Sequence, residues 1–126
     1  MVIGMEHLAI LSANPARLAK WYETTFGAEC VLDNGKGTYF MAFRDKSMLE
    51  IFASGAEGEY PQADISGLRH IALSTDDFSG DVAMLKEKNV EVIADAKTSA
   101  SGISTFFFRD IDGNILHLIS RPAPLV

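Results

Sequence analysis

Three histidines and one glutamate carry the chemistry this chain can offer. His7, His70 and His117 are all of its histidines, and together with Glu50 they fall at related places in two halves that repeat each other. The stretch Met5-Glu6-His7-Leu8-Ala9-Ile10-Leu11-Ser12 is answered by Gly67-Leu68-Arg69-His70-Ile71-Ala72-Leu73-Ser74. Further on, Phe43-Arg44-Asp45-Lys46-Ser47-Met48-Leu49-Glu50-Ile51-Phe52 aligns with Phe108-Arg109-Asp110 and Ile115-Leu116-His117-Leu118-Ile119, given two extra residues at the Asp112-Gly113 turn. The offset is 70 − 7 = 63 at the opening strands, 108 − 43 = 65 in the middle, and 117 − 50 = 67 at the closing strands. A slowly growing offset is the mark of an internal repeat with short insertions.

Imidazole and carboxylate are ligands for borderline divalent ions, and three of the first with one of the second suit Zn, Ni, Fe, Co or Mn. Alternation along a strand adds a reason to expect convergence. The faces opposite the four residues carry Leu8/Ile10, Leu49/Ile51, Ile71/Leu73 and Leu116/Leu118. The polar four therefore share the other, inward face. Ionisable groups gathered in an apolar cavity are costly without partners, and a divalent cation is the simplest partner. One histidine alone reads as a hydrogen-bonded core residue; three at repeat-related positions, with a carboxylate at the fourth, read as a metal set. No nucleophile elbow, supported Cys/His pair or glycine-rich phosphate loop competes.

The elements that must position these residues follow from pattern. Residues 6–12 alternate as a strand covered on both faces. Asn14-Pro15 opens a helix as N-cap and first helical residue, Leu18, Tyr22, Thr25 and Phe26 with Trp21 beside them form its buried stripe, and Gly27 closes it. Strands are predicted over 29–32, 38–43 and 48–53, separated by Asp33-Asn34-Gly35-Lys36-Gly37 and by Asp45-Lys46. Residues 54–66 lose periodicity and connect the halves. The second half repeats the plan: strand 69–75, a helix from Asp76-Asp77 through Phe78, Val82 and Leu85 to Asn89, then strands 90–94, 103–109 and 115–120. Lys97 to Gly102 is predicted as a mobile loop and Arg121-Pro122-Ala123-Pro124 as a tail that leaves the sheet. The fold class is α+β, with two βαβββ modules, about 5–54 and about 68–121, in a single domain spanning 1–126.

Composition narrows the partners. A chain of 126 residues can bury a core without staples, and no apolar run approaches the roughly 20 residues of a membrane span. The first residues do not read as a signal peptide, so a cytoplasmic location is expected. The lone Cys30 excludes an internal disulfide and is expected to be a buried thiol. A net charge of −6 argues against nucleic acid, whose phosphates demand a basic face. A small molecule and a second copy of the chain remain as partners.

These residues resemble the vicinal oxygen chelate superfamily, which includes glyoxalase I, methylmalonyl-CoA epimerase, type I extradiol dioxygenases and fosfomycin and bleomycin resistance proteins. The resemblance covers nearly the whole chain and rests on the strand with His7, the helix Leu18-Ala19-Lys20-Trp21-Tyr22-Glu23-Thr24-Thr25-Phe26-Gly27, Gly67-Leu68-Arg69-His70-Ile71-Ala72-Leu73 and Phe108-Arg109-Asp110-Ile111-Asp112-Gly113-Asn114. It implies a cupped mixed sheet built from paired modules, with a metal on its floor chelating adjacent oxygens of the substrate. His7, Glu50 and His70 match a glyoxalase I ligand set, while His117 stands where catalytic members usually carry glutamate. The glutathione-binding arginine of that enzyme's first strand is absent, the face continuing with Ala9 and Leu11. The expected function is a metal-dependent glyoxalase-like lyase or isomerase that proceeds through an enediolate-type intermediate, with Glu50 or His117 moving the proton. The alternatives are an Fe(II)-dependent ring-cleaving dioxygenase and a non-catalytic binding protein with Tyr39, Phe52 and Phe107 as cavity walls. Exposed module edges imply a homodimer.

Overall fold

The computed structural model describes residues 1–55 and 66–126, so most of the expected connector, 56–65, lies outside the described residues. The chain divides into two compact units, Met1–Glu59 and Tyr60–Val126. The first runs β1 (His7–Ser12), α1 (Pro15–Phe26), β2 (Glu29–Asp33), β3 (Tyr39–Ala42) and β4 (Met48–Ala53). The second runs β5 (Ile71–Ser74), α2 (Phe78–Glu87), β6 (Val92–Thr98), β7 (Ser104–Arg109) and β8 (Ile115–Ser120). Each unit is βαβββ in the expected α+β class, with sheet orders β1-β4-β3-β2 and β5-β8-β7-β6. In both, the first strand pairs in parallel with the last and the remaining neighbours are antiparallel.

Local chemistry explains the helices. Asn14 Oδ1 accepts from the Arg17 amide at 3.1 Å, Pro15 occupies the first turn, and Gly27 caps the end in the left-handed region at φ 69°. Leu18, Ala19, Tyr22 and Thr25 are buried on the face that lies over β1, β3 and β4, where Ile10, Met41, Leu49 and Ile51 are also buried. Trp21 and Phe26 sit at the edge of that stripe, with Tyr22 between them in ring contact. In the second unit Asp77 caps α2 by accepting from the Gly80 amide, and Val82 and Leu85 are buried with Phe106, Phe108, Leu116 and Leu118.

The repeat is more regular than letters alone suggest. Ala9 pairs with Glu50 and Glu50 with Phe40; Ala72 pairs with His117 and His117 with Phe107. The closing turns match bond for bond: Phe43 N–H donates to Ser47 O and Lys46 N–H to Phe43 O, as Asp110 N–H does to Asn114 O and Gly113 N–H to Asp110 O. The offset across both bonds is 110 − 43 = 113 − 46 = 67. The two extra residues expected at Asp112-Gly113 are therefore not there. The offset has grown by 67 − 63 = 4 before this turn, and the four additional residues lie in the preceding hairpin, where β6 and β7 have 7 and 6 residues against 5 and 4 in β2 and β3. The Phe-Arg-Asp triplets align by letter but occupy different places in the ladder.

Three smaller expectations are also corrected. Lys97 and Thr98 belong to β6, paired with Thr105 and Ser104, so the loop shrinks to the tight turn after Thr98, where Ser99 N–H donates to Ile103 O and Gly102 N–H to Ser99 O. The strand expected over 69–75 begins at Ile71, leaving His70 one residue ahead of the ladder. Cys30 is exposed, because β2 is an edge strand whose residues are all exposed.

Asp110 organises the closing turn of the second unit. Only 5% exposed, it accepts the Asp112 and Asn114 amides through Oδ1, both at 2.9 Å, and the Asn114 side-chain amide through Oδ2 at 2.8 Å. Truncation strands these donors. Asp110→Ala is expected to lower stability by about 2–3 kcal/mol, and Asp110→Asn, which keeps an acceptor, by about half as much. Urea denaturation checks this: the midpoint should fall with an unchanged slope.

Candidate functional site

Strand alternation determines which side chains meet. His7 stands two residues before Ala9, the partner of Glu50, so His7 and Glu50 project from the same face of neighbouring strands. Phe40 completes the row from β3. In the second unit His70 stands two residues before Ala72, the partner of His117, and Phe107 completes that row from β7.

The first pair is half-exposed and polar. His7 Nε2 lies 3.6 Å from Glu50 Oε1, with side-chain exposures of 35% and 26%. Its other nitrogen, Nδ1, lies 2.7 Å from Glu6 Oε1. The Phe40 ring meets the imidazole edge-on at 5.3 Å. A neutral imidazole has one proton. Held on Nδ1 by Glu6, it leaves the Nε2 lone pair facing the Glu50 carboxylate, two acceptors that a cation or a second proton would reconcile.

The second pair is apolar and tightly packed. His117 is 7% exposed, and neither Nδ1 nor Nε2 finds a hydrogen-bond partner among the described residues. Its ring stacks on Phe107 at 4.0 Å and meets His70 edge-on at 5.1 Å, while His70 meets Phe107 edge-on at 5.5 Å. Burial, and then the positive charges of His70 and Arg121, hold His117 below the usual histidine range. A buried neutral imidazole with unsatisfied nitrogens has the donor chemistry of a metal ligand.

The structure thus brings His7 to Glu50 and His70 to His117, each pair within its own unit. Among the described residues no group of three or more His, Cys, Asp or Glu side chains is assembled to hold a metal ion. Of the expected aromatic walls, Phe107 lies against both histidines of its unit. Phe40 and Glu6 were missed. Phe40 is the repeat partner of Phe107, since 107 − 40 = 67, and becomes visible once the offset of 67 is applied to this strand. Glu6 had no signal beyond being an acid next to a histidine.

The state of His117 has a measurable consequence. Its folded pKa lies below the unfolded value of about 6.5, so the unfolded chain takes up the proton first as pH falls. The stability contributed by the neutral ring is complete above about pH 6.5 and is lost as pH drops through the lower folded value. In a carbon-13 NMR titration His117 should protonate at a pH below the usual histidine range. Urea midpoints should fall over that window, and less so in His117→Gln. Titration of His117 at or above the usual value would contradict this.

Solved structures share the architecture. TioX from Micromonospora sp. ML1 superposes with a TM-score of 0.75 at 11% identity, covering 94% of this chain and 98% of that one. A glyoxalase/dioxygenase from Nostoc punctiforme gives 0.74 at 16% identity, covering 94% and 90%. A lactoylglutathione lyase from Agrobacterium tumefaciens gives 0.70 at 19% identity, covering 92% of each. At such identities the likeness establishes the fold. No curated protein matches the chain in sequence. Residues 4–118, which include all four candidate ligands, match the Glyoxalase/Bleomycin resistance protein/Dioxygenase superfamily, and the chain belongs to that superfamily.

Proposed function

We propose that this protein is a metal-dependent lyase or isomerase of the glyoxalase type, acting on a small molecule with two adjacent oxygens. The observation that carries this reading is His117, a buried imidazole beside His70 whose two nitrogens have no hydrogen-bond partner among the described residues, in the row where the first unit carries His7 and Glu50. His7, Glu50, His70 and His117 are the proposed ligands of one divalent ion, Zn, Ni, Fe, Co or Mn. Three imidazoles and one carboxylate fit these metals. When bound, the ion supplies Lewis-acid polarisation of the substrate oxygens.

The proton chemistry falls to the chain's own residues. Glu50, part-exposed and 3.6 Å from His7, is the proposed base that takes a proton from a carbon beside a carbonyl and returns it to the neighbouring carbon, an enediolate-type route. His117, neutral and with no hydrogen-bond partner at either ring nitrogen among the described residues, is the alternative proton acceptor. The rings of Phe40 and Phe107 limit the orientations open to the histidines.

Metal analysis of protein purified without an affinity tag tests this reading. About one divalent ion per four-residue set is expected, lost in His70→Ala and in His117→Ala. Glu50→Gln keeps an oxygen ligand but no base, so turnover on dicarbonyl or epimer substrates should fall by about 10²- to 10⁴-fold while metal is retained. Protein that takes up no metal after dialysis against zinc would sink the proposal.

The same reading includes a homodimer, since β1 and β2 leave sheet edges to be covered and Leu11, Val31 and Leu32 are exposed large apolar residues. If each set combines the first unit of one chain with the second unit of its partner, refolding His7→Ala together with His70→Ala should recover one metal site per mixed dimer. A set completed within one chain recovers none, and a monomer in sedimentation would overturn the dimer.

A further inference from the structure

We infer that Glu6 is a positioning residue, whose carboxylate decides which nitrogen of His7 is free to bind a metal. This inference rests on the proposed role of His7 as a ligand. Two carboxylates compete for the single proton of a neutral His7. Glu6 Oε1 is at hydrogen-bond distance from Nδ1, 2.7 Å, whereas Glu50 Oε1 is 3.6 Å from Nε2, beyond a good bond. The nearer acceptor takes the proton. Nε2 then presents its lone pair on the side where Glu50 lies.

Removing Glu6 reverses the competition. Nε2–H becomes the natural donor, a small tilt of the ring brings it to Glu50, and both the nitrogen and the carboxylate oxygen are then occupied by each other. Carboxylate partners of ligating histidines act in this way, fixing tautomer and ring orientation. The internal repeat shows that the arrangement is particular to the first unit. The residue at the matching place in the second is Arg69, 63 positions on, a cation that cannot accept a proton from His70. Glu6 is 74% exposed at its side chain, so water competes for it and its effect is set at the low end for such partners.

Nitrogen-15 NMR of histidine-labelled, metal-free full chain reads the tautomer directly. Wild type should show His7 protonated at Nδ1. Glu6→Ala should shift it to Nε2, and Glu6→Gln, whose amide oxygen still accepts, should restore Nδ1. In zinc titrations with Zn²⁺ alone, Glu6→Ala should weaken binding by about tenfold and Glu6→Gln should stay within about threefold of wild type. A His7 tautomer unchanged in Glu6→Ala would overturn the inference, as would equal zinc affinities for wild type and Glu6→Ala. Wild-type protein with the Nδ1–H tautomer but no zinc binding would refute the metal reading and, with it, the role of Glu6 in metal affinity. The tautomer result would still show that Glu6 sets the proton on His7.

Discussion

The parallel pairing of first and last strand in each unit is the constraint on which everything else depends. Parallel neighbours cannot be joined by a tight turn, so a helix and two further strands intervene between them. That detour places the last strand inside the sheet, with the first strand on one side and the third on the other. Glu50 and His117 therefore each have neighbours on both flanks: Ala9 and Phe40 for one, Ala72 and Phe107 for the other. Alanine directly opposite leaves room above it. The histidine two residues earlier can lean into that room from the same face, and this is how residues 43 and 47 positions apart in sequence come into contact.

The two units use one scaffold for different electrostatics. In the first, a carboxylate occupies the central strand where the site is part-exposed, and it remains in contact with solvent and an imidazole. In the second, the corresponding place is buried, and an ionised carboxylate there would carry a desolvation cost that a neutral imidazole avoids. Residue type follows burial at these two positions. The flanking residues diverge in the same sense, with Glu6 beside His7 and Arg69 beside His70.

Much of this was legible in the sequence, and the reasons differ by element. The helix starting at Pro15 was readable because its signals are local: an Asn cap, a proline in the first turn, and a glycine in the left-handed conformation at its end. The strands carrying Glu50 and His117 were readable because alternation separates Leu49 and Ile51, or Leu116 and Leu118, from the polar residue between them. The register of the repeat was not. Phe43-Arg44-Asp45 and Phe108-Arg109-Asp110 match in letters, yet Phe43 opens its turn and Phe108 is the penultimate residue of β7, a distinction held only in the hydrogen bonds. The role of Lys97 and Thr98 was hidden for a similar reason. Small polar residues suit a turn and an edge strand equally, and the Thr98–Ser104 hydroxyl contact, at 2.8 Å, depends on cross-strand pairing.

The position of the four additional residues explains how the second unit preserves its row. They fall two to a strand in β6 and β7, at the end of the hairpin away from the turn that Asp110 closes. Two residues restore the alternation of a strand, whereas one would turn every later side chain to the opposite face. Phe107 thus remains on the face of His117, as Phe40 remains on that of Glu50. Had the extra residues been in the closing turn, the β7–β8 register would have had to absorb them directly beside His117. Because the longer hairpin lies on the far side, the turn keeps its bonds, the parallel ladder keeps its pairing, and a buried imidazole keeps its place against Phe107 and His70.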